Sequence, residues 1–180
     1  PATPADAKGM MKTAIRDNDP VYVMENTTLY GNVGEIPDPA EGDFLIPLGK
    51  ADIKREGSDI SLIAHGASVL RCLEAAEILS SEHNINAEVV DLRSIRPLDQ
   101  DAIIKSVKKT NRAVLVDESK PFCGVSAQIT TLIQEYAFDY LDAPIKRVCT
   151  IDAPAIYSPH VEQDQLPNAK RIVAQVLTIA

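Results

Sequence analysis

The stretch VVDLRSIRPLDQDAIIKSV, Val89–Val107, changes its pattern half-way. It opens as a short apolar run that stops at charges, Asp91, Arg93 and Arg96, and it closes as a helix. Asp99 and Asp101 fall in that helix's first turn and Lys105, Lys108 and Lys109 in its last turns, the order the helix dipole favours. Pro97 holds Ile95 and Arg96 to extended or turn geometry between the two. A strand feeding directly into a helix is a βα unit. The rest of the chain either repeats that unit or contradicts it.

It repeats it. LGKADIKREG predicts an edge strand and DISLIAHG a buried one. Val69, Cys72, Leu73, Ala76 and Leu79 form a helical stripe. NAEVVDL and RAVLVDES predict strands on either side of the helix Asp99–Lys109. Val125, Ile129, Leu132, Ile133, Tyr136 and Tyr140 form a second stripe. IKRVCTI predicts a strand, and Pro167–Ile179 a last helix with Ile172, Val173, Val176 and Leu177 inward. Strands alternating with helices predict a mainly parallel sheet covered on both faces. Before this region, Thr3, Pro4 and Asp6 read as a capped helix start, with Ala7, Met10, Met11, Ala14 and Ile15 on one face. PVYVMEN then reads as a short strand, and YGNVGEIPDPAEGDF as a linker. The expected organisation is an αβ piece at 1–26, a connector at 27–45 and an α/β domain at 46–180.

Composition narrows the classes of function. The chain has 180 residues, 45% of them hydrophobic, and a net charge of −8. That charge argues against a nucleic-acid surface. No apolar run approaches the roughly 20 residues of a membrane helix. Residues 1–49 hold 3 basic and 8 acidic side chains against 15 and 18 in the remainder, so the front segment is the more acidic. Cys72, Cys123 and Cys149 are widely spaced and read as reduced thiols. The start at Pro1 without Met, running at once into a helix, reads as a fragment or a processed product.

The candidate site residues each carry two readings. Asp91, Arg93 and Arg96 lie past the carboxyl end of a strand, where open α/β sheets bind ligands; they equally suit a strand–helix junction or a subunit contact. His65, before Gly66 and Ala67, stands where a helix start could hold an anion, or is a polar turn residue. Asp117 and Glu118 close another strand on the same edge, but neighbours in a strand face opposite ways, so shared acid–base work is not expected. Cys123 leads into a helix without a His nearby in sequence, and is not read as a nucleophile. HExxH, CxxC and GxSxG are all missing. Residue types and spacing alone give an α/β domain without a visible catalytic centre.

The order of segments says more. DAKGMMKTAIRDNDPVYVMENTTLYG, DFLIPLGKADIKREGSDI, CLEAAEILS, EVVDLRSIRPLDQDAIIKSVKKTNRAVLVDES, GVSAQI and EYAFDYLDAPIKRV together resemble the β subunits of pyruvate dehydrogenase E1 components, among the thiamine-diphosphate-dependent 2-oxo acid dehydrogenases. After Cys149 the pattern departs: TIDAPAIYSPH stands where the family has a Gly-Ala-Asp and a Pro-rich Tyr segment. The resemblance implies that 1–26 is the tail of a pyrimidine-binding domain. It implies that 46–180 is a transketolase-like C-terminal domain, three-layered α/β/α with a mixed, mainly parallel five-stranded sheet. DLRSIRPLD then organises the fold and subunit packing, away from the cofactor. The complete enzyme decarboxylates pyruvate oxidatively and acetylates a lipoyl group on E2, using thiamine diphosphate and magnesium. The resemblance implies that an upstream Glu activates the cofactor and that the α subunit holds its diphosphate and magnesium, so no catalytic or cofactor-binding residue is expected on this chain; the alternatives are a non-catalytic assembly or binding module, or the C-terminal domain of another transketolase-type thiamine diphosphate enzyme such as a branched-chain 2-oxo acid dehydrogenase. A structural potassium site is implied at Ala14, Ile15, Asp17 and Asp19, where Asp19 replaces an Asn. Asp142 and the carboxylate of Ala180 are implied to dock the E2 subunit-binding domain. The expected partners are E1 α, a second E1 β and E2, in a bacterial cytoplasm or a mitochondrial matrix.

Overall fold

A computed structural model describes residues 1–38, 40 and 42–180; two positions of the expected connector, Pro39 and Glu41, lie outside the described residues. The element order is α1 (Pro4–Arg16), β1 (Asp52–Arg55), β2 (Ile60–Ala64), α2 (Ser68–His83), β3 (Ala87–Asp91), α3 (Gln100–Thr110), β4 (Ala113–Asp117), α4 (Val125–Ala137), β5 (Lys146–Cys149), α5 (Pro159–Gln165) and α6 (Ala169–Val176). The sheet order is β1-β3-β2-β4-β5. Only β1 runs antiparallel, against β3; the other pairings are parallel. This is the expected mixed five-stranded α/β architecture. No helix among the described residues is long and apolar enough to cross a membrane.

Period-two alternation divides the strands between two cores. Leu62, Val89, Val114, Val116 and Val148 face α2 and α6. Ile63, Val90, Ala113 and Leu115 face α3 and α4. Both sides of β2, β3 and β4 are buried, which is why these strands read as continuous apolar runs rather than alternating ones. Helix caps set the turns. Asp99 accepts the Ala102 N–H at 3.2 Å and starts α3 one residue later than expected. Asn84 and Asn111 end α2 and α3 in the left-handed conformation, which Asn tolerates.

The arginine of the opening stretch turns inward. Pairing β1 with β3 puts Asp52 opposite Asp91, two like charges facing each other. Lys54 lies between them, 2.7 Å from Asp52 Oδ2 and 3.8 Å from Asp91 Oδ2. Lys54 also donates to Asp6 Oδ2 at 2.7 Å, and Arg93, held at φ +54°, reaches Asp6 Oδ1 and Asp52 Oδ2. Asp6 is 1% exposed. Burial alone would raise its pKa, but the Lys54 and Thr3 hydrogen bonds and the charges of Lys54 and Arg93 hold it below the usual carboxylate range. The charges therefore serve the junction, joining α1 to the sheet. Arg96 stays exposed outside this network.

That network reorients α1. Its buried residues are Asp6, Gly9 and Met10, while Ile15 of the predicted apolar face is 75% exposed. Gly9 is required by close approach: a Cβ there would lie 2.7 Å from Ile46 Cγ1. Four further expectations fail. PVYVMEN forms no strand, because among the described residues nothing pairs with its backbone, and Tyr22 and Met24 stand exposed. Tyr136 and Tyr140 lie outside the core: α4 ends at Ala137, and Phe138–Tyr140 tightens into a 3-10 turn. The last helix begins only at Ala169, capped by Asn168, and Leu177 faces solvent. The helix α5 went unread because its seven residues are too few for a period to show.

Replacing Asp6 with Ala should lower unfolding stability by about 2–4 kcal/mol. The loss falls below that of a fully buried pair because Asp52 still serves both cations. Urea unfolding of the two chains measures it; a change under about 0.5 kcal/mol would show that α1 is not latched through Asp6.

Candidate functional site

β2 and β4 are neighbours whose crossovers diverge. The chain leaves β2 through α2 toward β3, and leaves β4 through α4 toward β5, on the opposite face. Such divergence opens a crevice at the carboxyl ends of the two strands. His65 follows β2 there, and Asp117 and Glu118 end and follow β4. Glu25 and Asn26 lie across from them, and with His65 and Glu118 they line a cavity of about 310 Å³.

Asp117 is the fixed point. It is 3% exposed. It accepts the Ser119 N–H at 2.9 Å, the Ser119 hydroxyl at 2.6 Å and the Ser126 N–H at 2.9 Å. The last is a free donor of the first turn of α4, so the carboxylate caps that helix. His65 Nε2 is 3.6 Å from Asp117 Oδ1. Burial alone would raise the Asp117 pKa, but the contacts from His65, Ser119 and Ser126 outweigh it and hold the group far below the usual range. Gly124 permits the close turn, since a Cβ there would meet Ser119 Oγ at 2.2 Å.

Glu118 turns the other way, as strand geometry requires. Its Oε2 accepts from Asn26 Nδ2 at 3.0 Å. Burial pushes its pKa up, and His65 and Arg71 pull it only partly back. The two carboxylates thus do not share a proton, but His65 stands between their charges, a neighbour relation 52 residues apart in sequence. Cys123 is exposed, at φ +57°, and Cys72 and Cys149 are buried; all three are free thiols.

The remaining candidate residues lie apart from this crevice. At the end of α1, Ile15, Asp17 and Asp19 are exposed; Asp17 Oδ1 accepts the Asp19 N–H at 3.0 Å, and the Asp17 N–H donates to Ala14 O. Among the described residues no three His, Cys, Asp or Glu side chains gather as a metal site would require. Asp142 lies before β5, at the amino edge of the sheet. Its N–H donates to Asn111 O, and its carboxylate, 59% exposed, lies 4.0 Å from Arg112. Ala180 is exposed and hydrogen-bonds back to Val176 O. Asp6, Asp52 and Lys54 went unread as a cluster because their contacts span distant segments. Thr3 and Asp6 did show their local role, since the Asp6 N–H donates to Thr3 Oγ1 at 3.1 Å.

Comparison with known proteins gives a consistent result. The family description "Transketolase, C-terminal domain" matches residues 49–172. The β subunit of acetoin:2,6-dichlorophenolindophenol oxidoreductase from Bacillus subtilis is 48% identical over 179 residues, covering 99% of this chain and 51% of that one. The mitochondrial pyruvate dehydrogenase E1 β subunit of Mus musculus is 48% identical over 173 residues, covering 95% and 48%. Among solved structures, a split-gene transketolase, described as an inactive β4 tetramer, superposes with a TM-score of 0.69 at 25% identity, covering 82% of this chain and 46% of that one. The chain spans about half the length of the curated relatives it matches.

Asp117 gives a pH signature. Its folded pKa lies below the unfolded value near 4, so the stability it contributes is present above about pH 5 and is lost as pH falls toward the folded value. Asp117→Asn should therefore flatten the acid limb of stability against pH below about 4. Urea unfolding at a series of pH values tests this; parallel curves for the two chains would place the acid sensitivity elsewhere.

Proposed function

Since this chain belongs to the transketolase C-terminal domain family, we propose that it is the C-terminal half of the β subunit of a thiamine-diphosphate-dependent 2-oxo acid dehydrogenase, of the pyruvate dehydrogenase E1 type. The observation that carries the reading is the run of identity to such β subunits from end to end of the chain, 42–48% in the mitochondrial pyruvate dehydrogenase relatives. In this reading the chain supplies assembly and docking surface, residues 1–26 belonging to a preceding pyrimidine-binding domain and 46–180 forming the assembly domain. The enzyme forms with an α subunit and a second β subunit, in a bacterial cytoplasm or a mitochondrial matrix. Thiamine diphosphate supplies the carbanion chemistry when bound, held with its magnesium by parts of the enzyme outside this stretch. A second reading has its own support: the acetoin-oxidising β subunit is equally identical and covers more of the chain.

Two surfaces follow from the first reading. Potassium would be held by Ala14, Ile15, Asp17 and Asp19. The donor set is all oxygen, which suits a hard cation; Ala14 O already accepts the Asp17 N–H and would offer its second lone pair. The E2 subunit-binding domain would dock at Asp142 with the Ala180 carboxylate. The fit is that of a partly free carboxylate beside exposed aromatic rings: Phe138 is 61% exposed and Tyr140 46%, with Lys108 Nζ 4.5 Å over the Tyr140 ring. Aromatic side chains next to a charge are common interface anchors.

The complete enzyme containing this polypeptide should reduce 2,6-dichlorophenolindophenol when given pyruvate. Reduction with acetoin and not pyruvate would select the second reading, and reduction with neither would remove both. Asp142→Asn should weaken binding of the E2 subunit-binding domain by about 2 kcal/mol or more at low salt, with a smaller loss at high salt. Its carboxylate makes no hydrogen bond among the described residues, so the melting temperature should hold. Unchanged affinity would remove Asp142 from the docking site.

A further inference from the structure

We propose that the lateral edge of β5 is a docking strip for an acidic, extended polypeptide segment, which joins the sheet there as an added strand. The inference stands on the sheet and its charges and does not rest on the β-subunit reading. In the order β1-β3-β2-β4-β5, β5 has a neighbour on one side only. Successive residues of a strand send their N–H and C=O groups to opposite sides. Just past β5, the Thr150 N–H donates to Ser119 O, toward β4. Cys149 and Arg147 therefore point outward. Arg171 Nη2 meets the Cys149 carbonyl at 2.7 Å from that side, which agrees. The Arg147 N–H and C=O and the Cys149 N–H have no partner among the described residues. A donor and an acceptor side by side on an extended backbone call for a partner that alternates the same two groups. Another extended backbone does so, and a small anion does not.

Charge sets the kind of strand. The chain carries a net charge of −8, yet β5 reads KRVC, and a cavity of about 410 Å³ beside it is lined by Lys146, Arg147 and Arg171. Arg147 donates to Pro121 O at 2.9 Å, and Arg171 to the carbonyls of Gln165, Leu166 and Cys149. These hydrogen bonds hold the guanidinium groups in place without neutralising them. Lys146 makes no ion pair among the described residues, and Asp152, the one acid in the lining, pairs with none of the three cations. Elsewhere Lys12, Arg16, Lys54, Arg93 and Lys109 all meet carboxylates. A second copy of this edge would set the cations against their like, so β5 does not pair with itself. An acidic strand meets them with opposite charge and brings the missing donors and acceptors. Ile151, 46% exposed in the same lining, offers it an apolar contact. Cations on a free edge also keep like edges apart; whether an acidic strand binds separates the two roles.

The test titrates the isotopically labelled full chain with a short peptide that alternates glutamate and valine, and follows the backbone amides of Arg147 and Cys149. Both resonances should shift saturably, and hydrogen exchange at both should slow as the new pairing protects them. The amides of β1, at the far edge of the sheet, should not move. Binding should weaken as salt rises. Arg147→Gln, at an exposed residue, should weaken binding about threefold to fivefold; Lys146→Gln carries the same test should that variant not fold. The control probes are the same peptide with lysine in place of glutamate, the same peptide N-methylated at alternate amides, and inorganic phosphate. Equal binding of the lysine peptide would remove the charge complementarity, and equal binding of the N-methylated peptide would remove the strand pairing. Slowed exchange with phosphate alone, a drift without saturation, or unchanged affinity in folded charge variants would likewise overturn the proposal.

Discussion

Two carboxylates are closed inside the carboxyl edge of the sheet, and each must be compensated there. Asp91 is 0% exposed and Asp117 3%. An uncompensated buried charge costs several kcal/mol, more than most single contacts return. Both strands, VVD and LVD, end on the same device: the aspartate accepts the N–H two residues on, Arg93 in one case and Ser119 in the other, each at 2.9 Å. That local turn takes the chain out of the sheet in both places. What differs is the second compensation. Asp117 receives a helix N-terminus and a hydroxyl and is held down. Among the described residues Asp91 has only the Lys54 side chain, at 3.8 Å, besides its turn, and burial pushes its pKa up. Lys54, brought to Asp91, also captures Asp6, and the Arg93 side chain joins it there, so the edge at β3 is covered by α1. The edge at β4 is compensated from within the domain, and its crevice stays open.

A similar economy holds on the α3 face of the sheet, where polar side chains enter an otherwise apolar interior. Ser61 Oγ contacts Ser106 Oγ at 2.6 Å and Thr110 Oγ1 at 2.7 Å, and Ser106 donates to Glu88 Oε1 at 2.6 Å. Glu88 is 1% exposed, and its other oxygen meets Lys109. All the polar residues on α3 in this set lie on one helical face, at positions 106, 109 and 110. The network therefore sets the rotation of α3 on the sheet more narrowly than Ile103 and Val107 could by packing alone. Apolar contacts tolerate sliding; hydrogen bonds at these distances do not.

The βα alternation was legible because buried parallel strands and amphipathic helices impose their periods directly on the sequence. Strand and helix positions after Ile46 fell within a few residues of the observed ones, and the errors have local causes. The stripe from Val125 ran on to Tyr140 because apolar spacing continued after the helix had ended. PVYVMEN had strand composition, but composition cannot supply a partner strand. The site was less legible. Asp117 and Glu118 were correctly separated by strand geometry, yet His65 joins them only through the β2–β4 pairing, which periodicity does not reveal. The charges of RSIR could be assigned to a junction or to a ligand, and only the position of Asp6, 87 residues before Arg93, decides between them.

The parallel sheet also separates two surfaces that share a strand neighbourhood. Asp142, Arg112 and Tyr140 stand before β5 and β4, at the amino edge; His65, Asp117 and Glu118 stand at the carboxyl edge. A five-residue strand is about 16 Å long. That exceeds both the range over which point substitutions couple through packing and the screening length of physiological salt. The charge at Asp142 is answered by Arg112 and the charge at Asp117 by Ser119, Ser126 and His65, with no residue common to the two sets. Substitutions at one edge and at the other should therefore act independently. What links them is the rigid body of β4, whose side chains from Ala113 to Asp117 are all buried and whose backbone is paired on both sides.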